Sequence, residues 1–483
     1  MKRPTPQAWR CRNSRTRRPP DLWFPTPNPR FRVSSFHFRV SSLAALALLC
    51  LALPPTIGLV ARPPQDPASL PQRLAFANPS VEKSRLDLFE QVWHIVDREY
   101  YDPSFNGVDW KAIRERYQPR VEASASDNDF YLTLREMVGE LHDAHTRFFS
   151  PGERERRRKR EAVSAGVHVY EVQGEIVVAG VDPGSEAAHA GVALGMTVAT
   201  IDGKPAAERV AEVRAEVGAS SSERATTLLT FGRLMMGEPD SVLRLGLVRS
   251  DGSRFEVALP RRLVSDAPKV EGRLLPSGVG YIRFNRFVPP VASQMRQALE
   301  ELRDAPGLIL DLRGNGGGDL AETARIAGYF FARKTTIARI ITRTGKPPAF
   351  LMGLARVPQE FSAGRPGGEV YSGPLAVLVN EGTGSGAELF AAALQENSRA
   401  AIVGRQTCGC VLGILHQRKL KGGGELDVSE VGFTTAQGRR LEGVGVIPTK
   451  AVPLTLADLR ARRDAALEAA EKILRSSAAR AGG

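Results

Sequence analysis

Two glycine turns hold the residues that could do chemistry. In residues 374–388, PLAVLVNEGTGSGAE, and in residues 308–318, LILDLRGNGGG, an apolar run ends in a glycine-rich stretch. Residues 375–379 are continuously apolar, as a buried strand requires, and residues 389–397 read as a helix. Ser385 stands between them, on or near a helix N-terminus, where unpaired first-turn N–H groups favour developing negative charge. A serine held there can be exposed as a nucleophile, and it can equally be an ordinary helix N-cap. If it is a nucleophile, the tetrahedral intermediate needs N–H donors about 3 Å from its oxygen. The backbone amides of Gly316, Gly317 and the rest of that turn, with Gly386 after the serine, are the candidates, because glycine lets the backbone approach a substrate closely.

Other chemistries for these turns fail on the residues. GTGSGA at 382–387 fits the dinucleotide fingerprint, yet Arg405 ends the next strand where an acidic ribose ligand is expected. GNGGGD at 314–319 has Asp319 in place of the third glycine, no phosphate-loop motif occurs, and Thr383 and Ala387 break the G-x-S-x-G pattern. His142 and His145 are three residues apart but lack H-E-x-x-H and a clear third ligand, so no metal is expected. Cys408 and Cys410 are separated by one residue, a spacing that rarely has disulfide geometry. They are expected as small turn-packing residues, with a regulatory thiol or a cysteine nucleophile as the minority reading.

The elements that must position these residues read as several domains. The chain has 483 residues, 42% hydrophobic and 25% charged, ordinary for a globular protein. Its net charge of +13 resembles a nucleic-acid signal, but residues 1–40 hold ten basic residues against Asp21 alone, leaving +4 for the remainder. No nucleic-acid partner is therefore expected. Residues 41–61 are uncharged, with an apolar core at 43–53 ended by Pro54-Pro55, which suits a signal peptide better than a bilayer-spanning helix. Residues 1–62 are read as a leader, and the protein as exported, periplasmic or extracellular, with an uncleaved membrane anchor at 41–61 as the alternative. Cys11 and Cys50 fall in this leader.

An amphipathic helix is expected over 82–101, with Leu86, Phe89, Trp93, Val96 and Tyr100 on one face, and more helix to about Leu141. The charged run 154–160 reads as a solvated connector. Short strands begin at Ser164, a mixed α/β pattern follows, and residues 456–474 read as one helix with Thr455 as N-cap and Asp458 three residues on. The expected division is a helical region at 82–153, a strand-rich domain at 160–265, a core at 271–453 and a C-terminal helix and tail at 455–483.

VNEGTGSGAELFAAALQENSRAAIVGRQTCG, with GYIRFNRF at 280–287 and GLILDLRGNGGG at 307–318, resembles the C-terminal processing peptidases, or tail-specific proteases, and their relative the tricorn core protease. The likeness covers roughly residues 82–453, and Ser385 falls where that family has its catalytic serine. It implies an N-terminal helical domain and a serine protease core of ββα repeats, similar in outline to crotonases. Residues 164–206, with the strands after Asp240, look like a PDZ domain. In such a domain a peptide adds a strand to a sheet edge, and backbone N–H groups near Ala165, Gly166 and Val167 would receive its C-terminal carboxylate.

The base departs from the nearest relatives. Processing peptidases have a lysine 25 residues after the serine and a glutamine four residues further, whereas this chain has Cys410 and Ile414. The tricorn branch uses a histidine and a glutamate instead. ELHDAHTRFFSP at 140–151 resembles the motif with that histidine, which falls on His145, although Ala144 stands where tricorn has serine. RRLEGVGVIP at 439–448 puts Glu442 at the position of the glutamate. By this resemblance a neutral His145 would take the Ser385 proton while Glu442 fixes its tautomer or polar environment. The resemblance implies a serine endopeptidase without cofactor, acting on C-terminal or unfolded segments of exported proteins. The alternative is an inactive relative that binds peptide or an apolar ligand.

Overall fold

The computed structural model describes residues 79–346, 349–350, 355–356, 359–365 and 367–481. The leader at 1–62, with Cys11, Cys50 and the apolar run at 41–61, lies outside the described residues. Among the described residues no helix is long and apolar enough to cross a membrane.

The described residues begin with α1 (Pro79–Glu99), α2 (Trp110–Glu122) and α3 (Asp127–Gly139). The face expected of the first helix is the one buried: Phe89, Trp93, Val96 and Tyr100 pack with Trp110, Phe130, Leu134 and Met137. Trp93 and Trp110 each donate their indole N–H to the other's carbonyl, at 2.8 and 3.2 Å, so two large rings enter the core with their polar atoms satisfied. Then come β1 (Arg147–Phe149) and α4 (Pro151–Lys159). The charged run is thus a capped helix rather than a free connector. Ser150 and Glu153 form a capping box, and Arg157 reaches Glu425 and Asp427.

Next follow β2 (Glu161–Ser164), β3 (Val167–Val172), β4 (Glu175–Val181), α5 (Glu186–His189), β5 (Thr197–Ile201), β6 (Lys204–Pro205), α6 (Ala206–Val217), α7 (Glu223–Met235), β7 (Val242–Val248), β8 (Arg254–Pro260) and β9 (Arg262–Ser265). The sheet runs β3-β4-β5-β7-β8, with β6 beside β5 and β3 at one edge. Leu243, Leu245 and Leu247 alternate inward along β7 and meet Phe231 and Leu234 of α7.

The remaining chain comprises β10 (Val270–Leu274), β11 (Gly280–Phe284), α8 (Val291–Glu301), β12 (Leu308–Asp311), α9 (Leu320–Ala327), β13 (Thr335–Thr342), β14 (Ala349–Phe350), β15 (Ala355–Arg356), β16 (Glu360–Ala363), β17 (Leu375–Val379), α10 (Gly386–Glu396), β18 (Ala401–Gly404), β19 (Leu412–Gly413), β20 (Gln417–Lys419), β21 (Glu425–Asp427), β22 (Val431–Thr435), β23 (Lys450–Ala451), α11 (Leu456–Arg460) and α12 (Ala465–Ala481). Its main sheet runs β10-β11-β12-β17-β18-β23, parallel from β11 onward. The unbroken apolar runs of β12 and β17 follow from burial on both faces. Leu308, Leu310, Val377 and Val379 pack with Met295, Ile326 and Phe390 of α8 to α10, while Ile309, Ala376 and Leu378 meet Ala470 and Leu474 of α12. Leu310→Ala would therefore cost roughly 2–5 kcal/mol.

The expected C-terminal helix is two helices. Thr455 caps the first as anticipated, but Arg462 turns to φ +52 and Asp464 pairs with Arg313 at 2.8 and 2.9 Å, which ends the run between them.

Candidate active site

The two glycine turns interlock at the C-terminal ends of β12 and β17. Asn380, just past β17, accepts the N–H groups of Gly314 and Gly382 on one oxygen, at 2.9 and 3.0 Å. Thr383 Oγ1 donates to Leu312 O at 2.8 Å, and Gly384 N–H to Asn315 O at 3.0 Å. A Cβ on Gly317, which sits at φ +88, would lie 2.5 Å from Gly386 N and 2.8 Å from Ser385 Cβ. That contact requires glycine. Beneath the turn, burial pushes the Asp311 carboxyl up, but Arg313 and Tyr281 hold it below its ordinary value.

Ser385 occupies the N-cap of α10 at φ +53 and ψ −123, a backbone state that a non-glycine residue holds only when its surroundings over-determine it. Its N–H donates to Cys410 O at 2.8 Å and to Glu388 Oε2 at 3.1 Å. Glu388 is wholly buried and also accepts from Thr407 Oγ1 and from the N–H groups of Gly409 and Cys410. Burial pushes its carboxyl up to about 7, against those donors, which favour the ionised form. The sequence reading passed over Glu388, although serine with glutamate three residues on is a capping-box signature.

The donor turn differs from expectation at one position. The Gly317 N–H is bonded to Asn315 Oδ1 at 3.0 Å and is not free for an oxyanion. Among the described residues, the N–H groups of Gly316, Gly318 and Gly386 make no hydrogen bond. Gly386 and Gly318 are close, since a Cβ on the former would lie 3.5 Å from the latter's nitrogen.

His145 lies in the loop between α3 and β1. Its Nδ1 is buried without a hydrogen-bond partner among the described residues. Burial lowers the imidazole from 6.5 to about 4, with the Asp143 charge opposing and Arg147 adding, so the ring is neutral at pH 7. Glu442 is 9% exposed, not a surface charge beside Arg440. Burial raises it to about 7; the Ser221 hydroxyl and the Val411 N–H oppose this, and Asp143 and Glu388 add repulsion. No described hydrogen bond joins Ser385, His145 and Glu442 to one another. Their segments come together along one seam: Ala144, next to His145, packs against Cys408 and Cys410, and its N–H donates to Ser221 Oγ at 3.0 Å. Ser222, the N-cap of α7, donates to Cys408 O, and Arg224 reaches Thr407 O and Val444 O.

Cys408 and Cys410 correct the sequence reading, because they form a disulfide with Cα atoms 5.2 Å apart. Gly409 between them sits at φ +73, so the chain doubles back far enough for a one-residue spacing to close. Among the described residues no cluster of His, Cys, Asp or Glu could hold a metal ion.

Of the expected carboxylate receivers, Ala165 and Val167 are buried. The Gly166 N–H donates to Ser164 Oγ at 3.0 Å, and a Cβ on Gly166 would lie 2.4 Å from Ser185 Cβ. Strand β3 follows at the sheet edge beside α7, where the Tyr170 and Phe231 rings meet at a tilt of 47° with centroids 5.2 Å apart. A groove of about 660 Å³ runs between α3 and α7, with His142, Asp143 and Thr146 among its lining and Leu228, Leu229 and Met236 giving an apolar wall.

Residues 278–452 match Peptidase family S41, and residues 81–139 match the Tricorn protease C1 domain. The chloroplastic carboxyl-terminal-processing peptidase 2 of Arabidopsis thaliana is 30% identical over 76% of this chain and 68% of its own length. The carboxyl-terminal-processing protease of Synechocystis sp. is 27% identical over 84% of this chain and 88% of its own. Among solved structures, the photosystem II D1 C-terminal processing protease aligns with a TM-score of 0.52 at 26% identity, covering 77% of this chain and 93% of that one. On this likeness the chain belongs to peptidase family S41, the carboxyl-terminal-processing serine peptidases.

Proposed function

We propose that this peptidase hydrolyses unfolded or C-terminal segments of exported proteins with Ser385 as nucleophile and His145 as general base. Ser385 Oγ attacks the scissile carbonyl while the neutral His145 imidazole takes its proton. The same imidazole protonates the leaving amine and then activates the water that releases the acyl group. The N–H groups of Gly386 and Gly318 stabilise the oxyanion, with Gly316 as the further donor of that turn. Glu442 sets the polar environment of the base through Ser221 and the Val411 backbone rather than through a direct bond to the ring. Catalytic hydrogen bonds that are long without substrate tighten in the Michaelis complex, which accommodates the unformed Ser385 to His145 bond.

The observation that carries this proposal is the Ser385 backbone, held at φ +53 by Cys410 and Glu388 at the start of a buried helix, beside amides with no other partner. Residues 160–265 act as a PDZ-like peptide-binding domain, with the ligand lying along the β3 edge beside α7. With Gly166 N–H engaged by Ser164, the N–H groups of Ala165 and Val167 remain to receive the carboxylate. Export rests on the basic leader and the apolar run at 41–61.

Cys410 at the position of the family's lysine favours a competing reading, a binding relative without activity. Incubation with denatured proteins separates the two: cleavage lost in Ser385→Ala supports the peptidase, and inertness of the wild type toward every substrate supports the binder. For the PDZ-like role, a peptide with a free C-terminus should bind more tightly than its amidated twin by about 1.5–3 kcal/mol. Equal affinities would reduce the domain to a packing or gating element.

A further inference from the structure

We propose that Asp143 is the positioning residue of the catalytic base: its carboxylate moulds the turn that presents His145 and ties that turn to the protease core. This rests on the assignment of His145 as general base.

Asp143 is 8% exposed, and among the described residues no lysine, arginine or histidine makes an ion pair with it. A buried carboxylate without a cation persists only when several donors satisfy it. Here the donors come from three separate parts of the chain. Oδ1 accepts from His145 N–H at 2.7 Å and Thr146 N–H at 2.6 Å, the local turn. The same oxygen accepts from Ser429 Oγ at 3.0 Å, in the loop between β21 and β22. Oδ2 accepts from Thr146 Oγ1 at 2.8 Å, and the Tyr100 hydroxyl at the end of α1 also bonds this carboxylate. Thr146 Oγ1 in turn accepts Ser429 N–H at 3.1 Å, closing the ring of bonds.

The imidazole has no comparable fixing of its own. Its Nδ1 makes no bond among the described residues, and Glu442 bonds Val411 and Ser221 instead. The orientation of the base is therefore set through its backbone, by the residue two positions earlier. Asp143 also brings a negative charge beside the ring that becomes cationic in the transition state, which favours proton transfer to it. The charged and titratable groups around the pair are Arg147 on the same segment, Tyr100 and Tyr101 at the end of α1, and Glu442 on the C-terminal loop.

Two substitutions separate scaffold from charge. Asparagine keeps one acceptor for the two N–H groups and sets its amide opposite Thr146 Oγ1, so Asp143→Asn removes mainly the charge, whereas Asp143→Ala removes both. On a denatured-protein substrate, D143N should lower kcat roughly tenfold with KM within about twofold, and D143A should lower it about a hundredfold. Because the Asp143 charge raises the His145 pKa, the acid limb of D143N should move to lower pH, which loss of packing alone would not produce. Should D143N fail to fold, Ser429→Ala deletes one bond to the carboxylate and should lower kcat by about two- to fivefold, again with KM little changed. With His145→Ala inactive, wild-type kcat and an unshifted acid limb in D143N overturn this inference alone, as does wild-type kcat in S429A. Wild-type activity in His145→Ala overturns the choice of base and this inference with it.

Discussion

The turn that holds Ser385 and the loop that holds His145 are fixed by opposite means. Ser385 stands on one continuous strand, turn and helix, with Glu388 three residues on, and is braced there by Cys410 O and by the glycine turn of the adjacent strand. His145 and Glu442 reach the same seam from segments nearly 300 residues apart, joined by Asp143, Ser221 and Ser429. The first arrangement is written in a local motif. The second exists only once α3, α7 and the loop holding Glu442 have packed together, so its weak points lie outside His145 and Glu442 themselves.

The largest effects are expected from removing the two side chains themselves. Ser385→Ala and His145→Ala should each reduce peptide hydrolysis by about 10² to 10⁴-fold, and the double variant should be little worse than either. Additive losses would mean that the two residues do not act as one proton-transfer unit. The interlock comes next. Gly317→Ala sets a methyl 2.8 Å from Ser385 Cβ at φ +88, so it should cost roughly 2–4 kcal/mol of stability and most activity, read by thermal melting and turnover. A soluble, fully active variant would mean that this turn yields more readily than its contacts imply.

How much of this was legible follows the same division. The strands β12 and β17, the helix α10 and Ser385 could be read because double burial and a glycine turn leave marks within a dozen residues. The first helix and the Thr455 cap were equally local. The Cys408 to Cys410 disulfide was missed because residue spacing alone does not reveal that Gly409 turns the chain left-handed. The division of the C-terminal helix depends on an ion pair between Arg313 and Asp464, which no helical periodicity records. Asp143 lay inside the motif that identified His145, but its partners Tyr100 and Ser429 are remote in sequence. Local periodicity could not connect them.

Smaller effects sharpen the contrast through pH. His145 is lowered to about 4, so the acid limb belonging to the base should lie well below the 6.5 of a free histidine, as a kcat profile would record. An acid limb near 6.5 that vanished in no carboxylate variant would contradict a base whose imidazole is desolvated as that of His145 is. Glu442 is raised to about 7 from 4.5. The contribution of this group to stability is thus complete below about 4.5 and is lost as pH rises through about 7. Glu442→Gln should raise the melting temperature by about 2–4 °C at pH 8 to 9 and leave it nearly unchanged at pH 4. Equal shifts at both pH values would attribute the effect to packing. Smallest of all, replacing Cys408 and Cys410 together by serine should hold activity within roughly threefold, since the bonds to Ser385 and Glu388 come from that loop's backbone. Loss of all activity would make the disulfide part of the machinery.

In the proposed mechanism, Ser385 on its local turn is activated by a histidine brought in from a distant loop. Labelling with a fluorophosphonate probe, followed by peptide mapping of the wild type and of His145→Ala, tests it most directly. The expected result is a single adduct on Ser385 in the wild type and a labelling rate lower by orders of magnitude in the variant. A folded wild type that takes no label, an adduct on another residue, or equal labelling of the two proteins would contradict it.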